Sequence, residues 1–196
     1  MNVKNLKQKG LIDSTITIGN AFGGDYECIN IYTGLITAKE IAKADVVFVS
    51  MGPGIAGTGT KYGFTGIEQG QILDAVKKLG GNPIAIPRIS FADKRDRHQG
   101  ISHHSITVFD KIVNVDVNIP ITIYEDQKLN KIKEQIKENK LDEKHNIIFI
   151  ENNKCKEDLE YFGLKVKSMG RNYDEDSEFF DSASSAAYYL MEVYHD

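Results

Sequence analysis

Residues Asp45–Met51 read DVVFVSM, a continuous apolar run rich in β-branched side chains, and MGPGIAGTGTKYGFTG follows from Met51 to Gly66. Such a run is the pattern of a strand buried on both faces, as in a parallel sheet covered by helices. TGIEQGQILDAVKKLG, Thr65 to Gly80, then places apolar residues at helical spacing and closes on Gly80 and Gly81. Strand, glycine-rich turn and helix in succession predict a βα unit.

The same alternation extends in both directions. Upstream, STITIG (Ser14 to Gly19) predicts a strand and TGLITAKEIAKA (Thr33 to Ala44) a helix. Downstream, PIAIPRIS (Pro83 to Ser90), NVDVNI (Asn114 to Ile119), NIIFIE (Asn146 to Glu151) and LKVKSM (Leu164 to Met169) predict strands. Helices are expected at His103 to Ile112, from about Asp126 to Lys140, at Lys156 to Gly163, and over the closing run SEFFDSASSAAYYLMEVYH. The expected fold is therefore α/β: a mainly parallel sheet with helices on both faces, a Rossmann-like three-layer sandwich, in one domain spanning residues 1–196.

Composition narrows the function classes. A net charge of −4 spread along 196 residues offers no basic face for a phosphate backbone, so no nucleic-acid partner is expected. No apolar run approaches the roughly 20 residues that span a bilayer, and the polar start MNVKNLKQKG lacks the core of a signal peptide. Cys28 and Cys155 are far apart and outside any CxxC spacing, which suits a reducing compartment. The expectation is a cytoplasmic protein whose partner is a small molecule, with no membrane contact and self-association left open.

In open parallel sheets ligands sit outside the carboxyl ends of the strands, so the segments just after strands are where a site should form. Four of them are unusual: GNAFGGDYE (Gly19 to Glu27), the glycine-rich stretch after Asp45–Met51, FADKRDRHQGISHH (Phe91 to His104) and MGRNYDED (Met169 to Asp176). In a parallel sheet all four would meet at one edge.

The glycine-rich stretch holds six of the seventeen glycines. GPGIAG (Gly52 to Gly57) satisfies G-x-G-x-x-G, yet a further turn intervenes before the helix, and the next strand ends on Arg88 and Ser90 where the dinucleotide fingerprint needs an acid. NAD and FAD are therefore not expected. GIAGTGTK fails as a Walker loop because Thr60 precedes Lys61. What remains is a backbone nest for phosphate or carboxylate, built from Gly52, Gly54, Gly57 and Gly59 with Thr58, Thr60 and Lys61 as further donors. Thr65 and Glu68 have capping-box spacing, a structural role.

RISFADKRDRHQGISHH combines Arg88, Arg95 and Arg97 with His98, His103, His104 and Asp93. Guanidinium grips carboxylate or phosphate bidentately and imidazole titrates near neutrality, so the pattern suits anion binding coupled to proton transfer. A divalent metal held by these histidines with Asp25 or Asp93 is the alternative, although neighbouring helical residues point about 100° apart. Ser102 as a helix cap, with both following histidines structural, is the bland reading. Asp25 follows the Gly23–Gly24 turn as a candidate carboxylate, and Arg171 is the candidate ligand of the last loop, where Asp174 to Asp176 fit an acidic first helical turn.

GLIDSTITIGNAFGGDYE, MGPGIAGTGTKYGFTGIEQG, GGNPIAIPRISFADKRDRHQGISHHS and MGRNYDEDSEFF, in that order, resemble the bacterial domain-of-unknown-function family numbered three-eight-six-six. The resemblance covers most of the chain and corresponds to the C-terminal portion of longer relatives. It implies no activity. The residues themselves support a cytoplasmic enzyme acting on a small anionic metabolite, with Gly52, Gly54, Gly57, Thr58, Gly59, Thr60, Lys61, Arg88, Arg97 and Arg171 as binding residues. His98, His103, His104, Asp25 and Asp93 would carry the chemistry. A non-catalytic ligand-sensing or assembly module is the competing expectation.

Overall fold

The computed structural model describes residues 2–51, 54–152 and 154–194. Contacts gather the chain into two compact units, Met1–Ile55 and Ala56–Asp196. The extensive parallel sheet expected from the sequence does not form. Among the described residues there are three two-stranded sheets, two parallel and one antiparallel, so the Rossmann-like sandwich is corrected to a largely helical protein with small sheets.

The first unit comprises α1 (Asn2–Gln8), β1 (Ile16–Ile18) paired in parallel with β2 (Tyr26–Cys28), and α2 (Ile31–Ile36), which runs into a wide π turn over Thr37–Ile41. Asn30 caps α2 in a reciprocal box with Thr33, whose backbone N–H donates to Asn30 Oδ1 at 3.1 Å. The tight crossover between the strands needs Gly24. A Cβ there would lie 2.8–2.9 Å from the backbone of Tyr26, Thr15 and Thr17.

Asp45–Met51, the run read as the central strand, has no strand partner among the described residues, and Val46, Val47, Phe48 and Val49 are exposed. β-Propensity reflects how well side chains fit a paired, half-buried surface, and this segment has neither pairing nor cover.

In the second unit a 3-10 turn (Thr65–Ile67) leads into α3 (Glu68–Lys78). The expected capping box is absent, since Thr65 Oγ1 accepts the Ala56 N–H at 3.1 Å and Phe64 occupies the cap position. β5 (Asn118–Thr122) and β6 (Asn146–Ile150) pair in parallel from Asn118↔Asn146 to Thr122↔Ile150, joined through α5 (Asp126–Glu138) and α6 (Leu141–Lys144).

On the other edge of β5 the expected strand Pro83 to Ser90 begins to add. Ala85 N–H donates to Asn118 O at 2.8 Å, and Asn118 N–H to Pro83 O at 3.1 Å. The next two bonds of that ladder would need N–H groups from Pro87 and Pro120, which proline lacks, so the ladder stops. Serines of α8 (Ser177–Tyr194) take up the freed carbonyls: Ser185 Oγ donates to Pro120 O at 3.0 Å and Ser182 Oγ to Pro87 O at 2.7 Å. The small residues of SASSAA let this helix approach closely, packing it on β5 and on Ile89–Ser90.

Past Pro87 the chain forms β3 (Ile89–Ser90), antiparallel to β4 (Gly100–Ile101). α4 (His103–Thr107) follows and widens into a π turn at Val108–Ile112. The core between these elements includes Leu73, Ile89, Ile101, Phe109, Ile119, Ile121 and Ile132. α7 (Cys155–Tyr161) precedes the expected strand Leu164 to Met169, which reduces to a single bridge between Ser168 and Arg171.

Candidate functional site

The site grows from the segment between β3 and α4. Gln135 on α5 fixes β4, accepting the Ile101 N–H at 2.8 Å and donating to the Gln99 and Ile101 carbonyls at 3.2 and 3.1 Å. Gly100 has φ +74, a left-handed conformation that glycine adopts without strain. Just before β4 a 3-10 turn (Asp96–His98) buries His98; just after it Ser102 caps α4, accepting from His104 N. His98 Nδ1 lies 2.8 Å from Ser102 Oγ. Ser102 thus has its expected capping role while also orienting His98.

All three imidazoles meet. Ring centroids are 4.0 Å apart for His103 and His104, 4.9 Å for His98 and His103, and 5.4 Å for His98 and His104. One ring nitrogen from each lies within 4.8 Å of the others. The 100° divergence expected of helical neighbours does not separate His103 from His104, because both stand in the first turn of α4 and converge towards His98. Phe64 stacks on His104 at 4.3 Å, joining the end of the glycine-rich loop to the cluster.

Arginines surround these rings. Arg88 Nη2 donates to Asp93 Oδ2 at 3.3 Å, and Arg95 grips both oxygens of the same carboxylate at 2.9 and 3.0 Å. Held by Arg95 above all, the buried Asp93 carboxyl titrates well below the usual carboxylate range. It is a fixed anion that positions arginine.

The histidines shift the other way. Burial first, then Arg88 and Arg95, push His98 down to about 4. Burial, His103 and the arginines led by Arg97 push His104 down to about 4, and burial followed by Arg97 lowers His103. At neutral pH the rings are uncharged. Between their ordinary value of 6.5 and about 4 the unfolded chain binds protons that the folded chain refuses, so stability falls as pH drops through this window. Thermal unfolding at stepped pH should show that decline, shallower in His104→Gln; identical profiles for the two proteins would contradict it.

The last loop reaches β3 through Asp176. Arg171 Nε donates to Asp176 Oδ2 at 2.9 Å, and Ser90 Oγ donates to Asp176 Oδ1 at 2.7 Å. Asp176 is 1% exposed, and Ser90 stands two residues beyond Arg88. Arg88 Nη1, Arg171 Nη2 and His103 Nε2 are all buried without a protein partner. Buried polar groups left in that condition are costly unless something else meets them.

The remaining candidates are placed elsewhere. Gly57 bridges to Phe64 and Thr58 N–H donates to Gly63 O at 2.7 Å, making the glycine-rich loop a closed hairpin. Thr58 and Thr60 join hydroxyls at 3.1 Å, Lys61 lies 5.6 Å from the Tyr62 ring centroid, and Gly54, Gly59 and Lys61 are exposed. Much of the hydrogen bonding expected to cradle an anion is spent within the turn. Gly52 lies outside the described residues, and Arg97 is exposed.

Asp25 belongs to the first unit. It accepts from Lys7 Nζ and, at 2.8 Å, from both Thr15 N and Thr15 Oγ1. Lys7 first and Thr15 next lower it to about 2, and its place is to tie β1 to α1. That unit also has an open concavity lined by Gly19–Phe22 and Glu27–Ile29.

The model of the family described as "Protein of unknown function (DUF3866)" matches residues 1–187. The chain belongs to this family. No curated protein and no solved structure matches this DUF3866 member. No described helix is long and apolar enough to cross a membrane. Sequence reasoning named the three histidines, Arg88 and Arg171; it missed Phe64, Ser90 and Asp176, the groups that hold them. Asp176 was legible only as a helix-start acid, because its partners Ser90 and Arg171 are remote in sequence.

Proposed function

We propose that the second unit of this DUF3866 protein is a cytoplasmic enzyme domain acting on a small phosphate- or carboxylate-bearing metabolite. Arg88 and Arg171 bind the anion, Arg97 adds to the local positive field, and the neutral histidines exchange protons with it. What supports this reading is three of the buried polar atoms without partners, Arg88 Nη1, Arg171 Nη2 and His103 Nε2, together with the imidazoles that Arg88 helps to keep uncharged at neutral pH. An uncharged imidazole has a lone pair free to accept a proton, and buried guanidinium donors bind anions with little competition from water. Asp93, already held by two arginines, orients Arg88. The competing non-catalytic reading draws support from that locked carboxylate, but it leaves the three unpartnered atoms without a use.

Inorganic phosphate and a simple dicarboxylate, titrated separately at neutral pH, test the reading. Saturable shifts of the His98, His103 and His104 ring resonances are expected with at least one of them. Shifts confined to exposed lysines, or none, would overturn it.

A further inference from the structure

Three neutral imidazoles facing one another across 4.8 Å are an unusual use of a half-buried surface, and no carboxylate shares the group. Nitrogens bound to one tetrahedral zinc ion lie about 3.3 Å apart, so side-chain rotations of about 1 Å would bring these three onto a common ion. The surrounding bonds favour that use. In the tautomer that leaves His98 Nε2 with its lone pair, Nδ1–H points at Ser102 Oγ, 2.8 Å away, the outer support that metal-binding histidines characteristically have. Phe64 fixes the ring plane of His104, and His103 Nε2 is buried with no protein partner.

We infer that His98, His103 and His104 bind a divalent transition-metal ion of the zinc class, whose open coordination position receives an oxygen of the anion held by Arg88 and Arg171. The second half of that statement rests on the anion-binding reading above and, with the ion bound, replaces proton exchange by the rings with polarisation of the anion by the ion; the first stands without it. Imidazole nitrogens suit zinc, copper and nickel over magnesium or calcium, and three protein ligands with one open position is the arrangement of catalytic zinc. Metal ligation needs the ring nitrogens deprotonated, so binding should weaken as pH falls. The arginines around the rings repel a cation. Asp93 offsets the repulsion by pairing with Arg88 and Arg95, and an anionic ligand on the metal would offset it further.

The test uses the full chain after chelator treatment, titrated with Zn2+ against a chromophoric chelator and with Co2+ by visible absorption. One equivalent should bind, with the intense absorption of low-coordinate Co2+. His103→Gln and His104→Gln should each weaken binding about a hundredfold with the circular dichroism spectrum unchanged, whereas Arg88→Met should retain it. Binding no tighter than that of the doubly substituted protein would overturn the site. Inorganic phosphate is then titrated with and without Zn2+. Tighter phosphate binding with metal supports the whole proposal. Phosphate binding that ignores the metal overturns the shared position and leaves the anion site standing, while metal binding without any phosphate binding overturns the anion reading alone.

Discussion

Arg88→Met is expected to weaken the proposed phosphate binding about tenfold to a hundredfold and to leave the fold intact. The size follows from one lost hydrogen bond between charged groups, about 1.5–3 kcal/mol, at about 1.4 kcal/mol per factor of ten. The fold tolerates the change because Asp93 keeps its two-pronged grip from Arg95, so no buried carboxylate is abandoned. Methionine retains most of the apolar stem that arginine packs. Arg171→Met should act similarly, and the two changes together should abolish binding. Isothermal titration with inorganic phosphate measures all three, and a double variant that binds as the parent does would exclude these arginines from the site.

Asp176→Ala is expected to destabilise the protein by about 3 kcal/mol and also to weaken the proposed phosphate binding, although Asp176 is not assigned as an anion ligand. Breaking a buried ion pair strands the remaining charge, and here the stranded group is Arg171, with Ser90 Oγ losing its acceptor as well. Ser90 is fully buried, so water does not simply replace the carboxylate. Urea denaturation gives the stability change from the midpoint at constant slope. A loss under about 0.5 kcal/mol, of the size expected for a surface substitution, would mean that Asp176 does not anchor the last loop.

The two predictions draw on residues of unequal legibility. His98, His103, His104, Arg88 and Arg171 were readable because their density in two short loops is chemically unusual. Asp176, Ser90 and Phe64 were not, because their roles depend on partners distant in the chain. Alternation of strand and helix located α5, β6, α7 and α8 closely, whereas β5 begins only at Asn118, near the end of the run Asn114 to Ile119 expected as a strand. The alternation failed on the extended sheet for two separate reasons. Asp45–Met51 has the composition of a buried strand without a pairing partner, and composition does not report pairing. Pro83 to Ser90 has the composition of a central strand with Pro87 inside it, opposite a β5 that carries Pro120, so two consecutive ladder bonds are chemically unavailable. That conflict was visible in the prolines and outweighed by the apolar pattern around them. The glycine-rich loop suggested a ligand cradle, yet glycine content reports backbone freedom and leaves open whether the N–H groups face a ligand or their own turn. Here Thr58 and Gly63 close much of that turn on itself.

A small anion is expected to bind among Arg88, Arg171 and the histidine cluster. A crystal soaked with tungstate, an electron-dense oxyanion, tests it most directly through anomalous scattering. One dominant peak is expected within hydrogen-bond reach of Arg88 Nη1, Arg171 Nη2 and His103. A crystal whose strongest peaks lie on exposed lysines, with none beside these three residues, would contradict it.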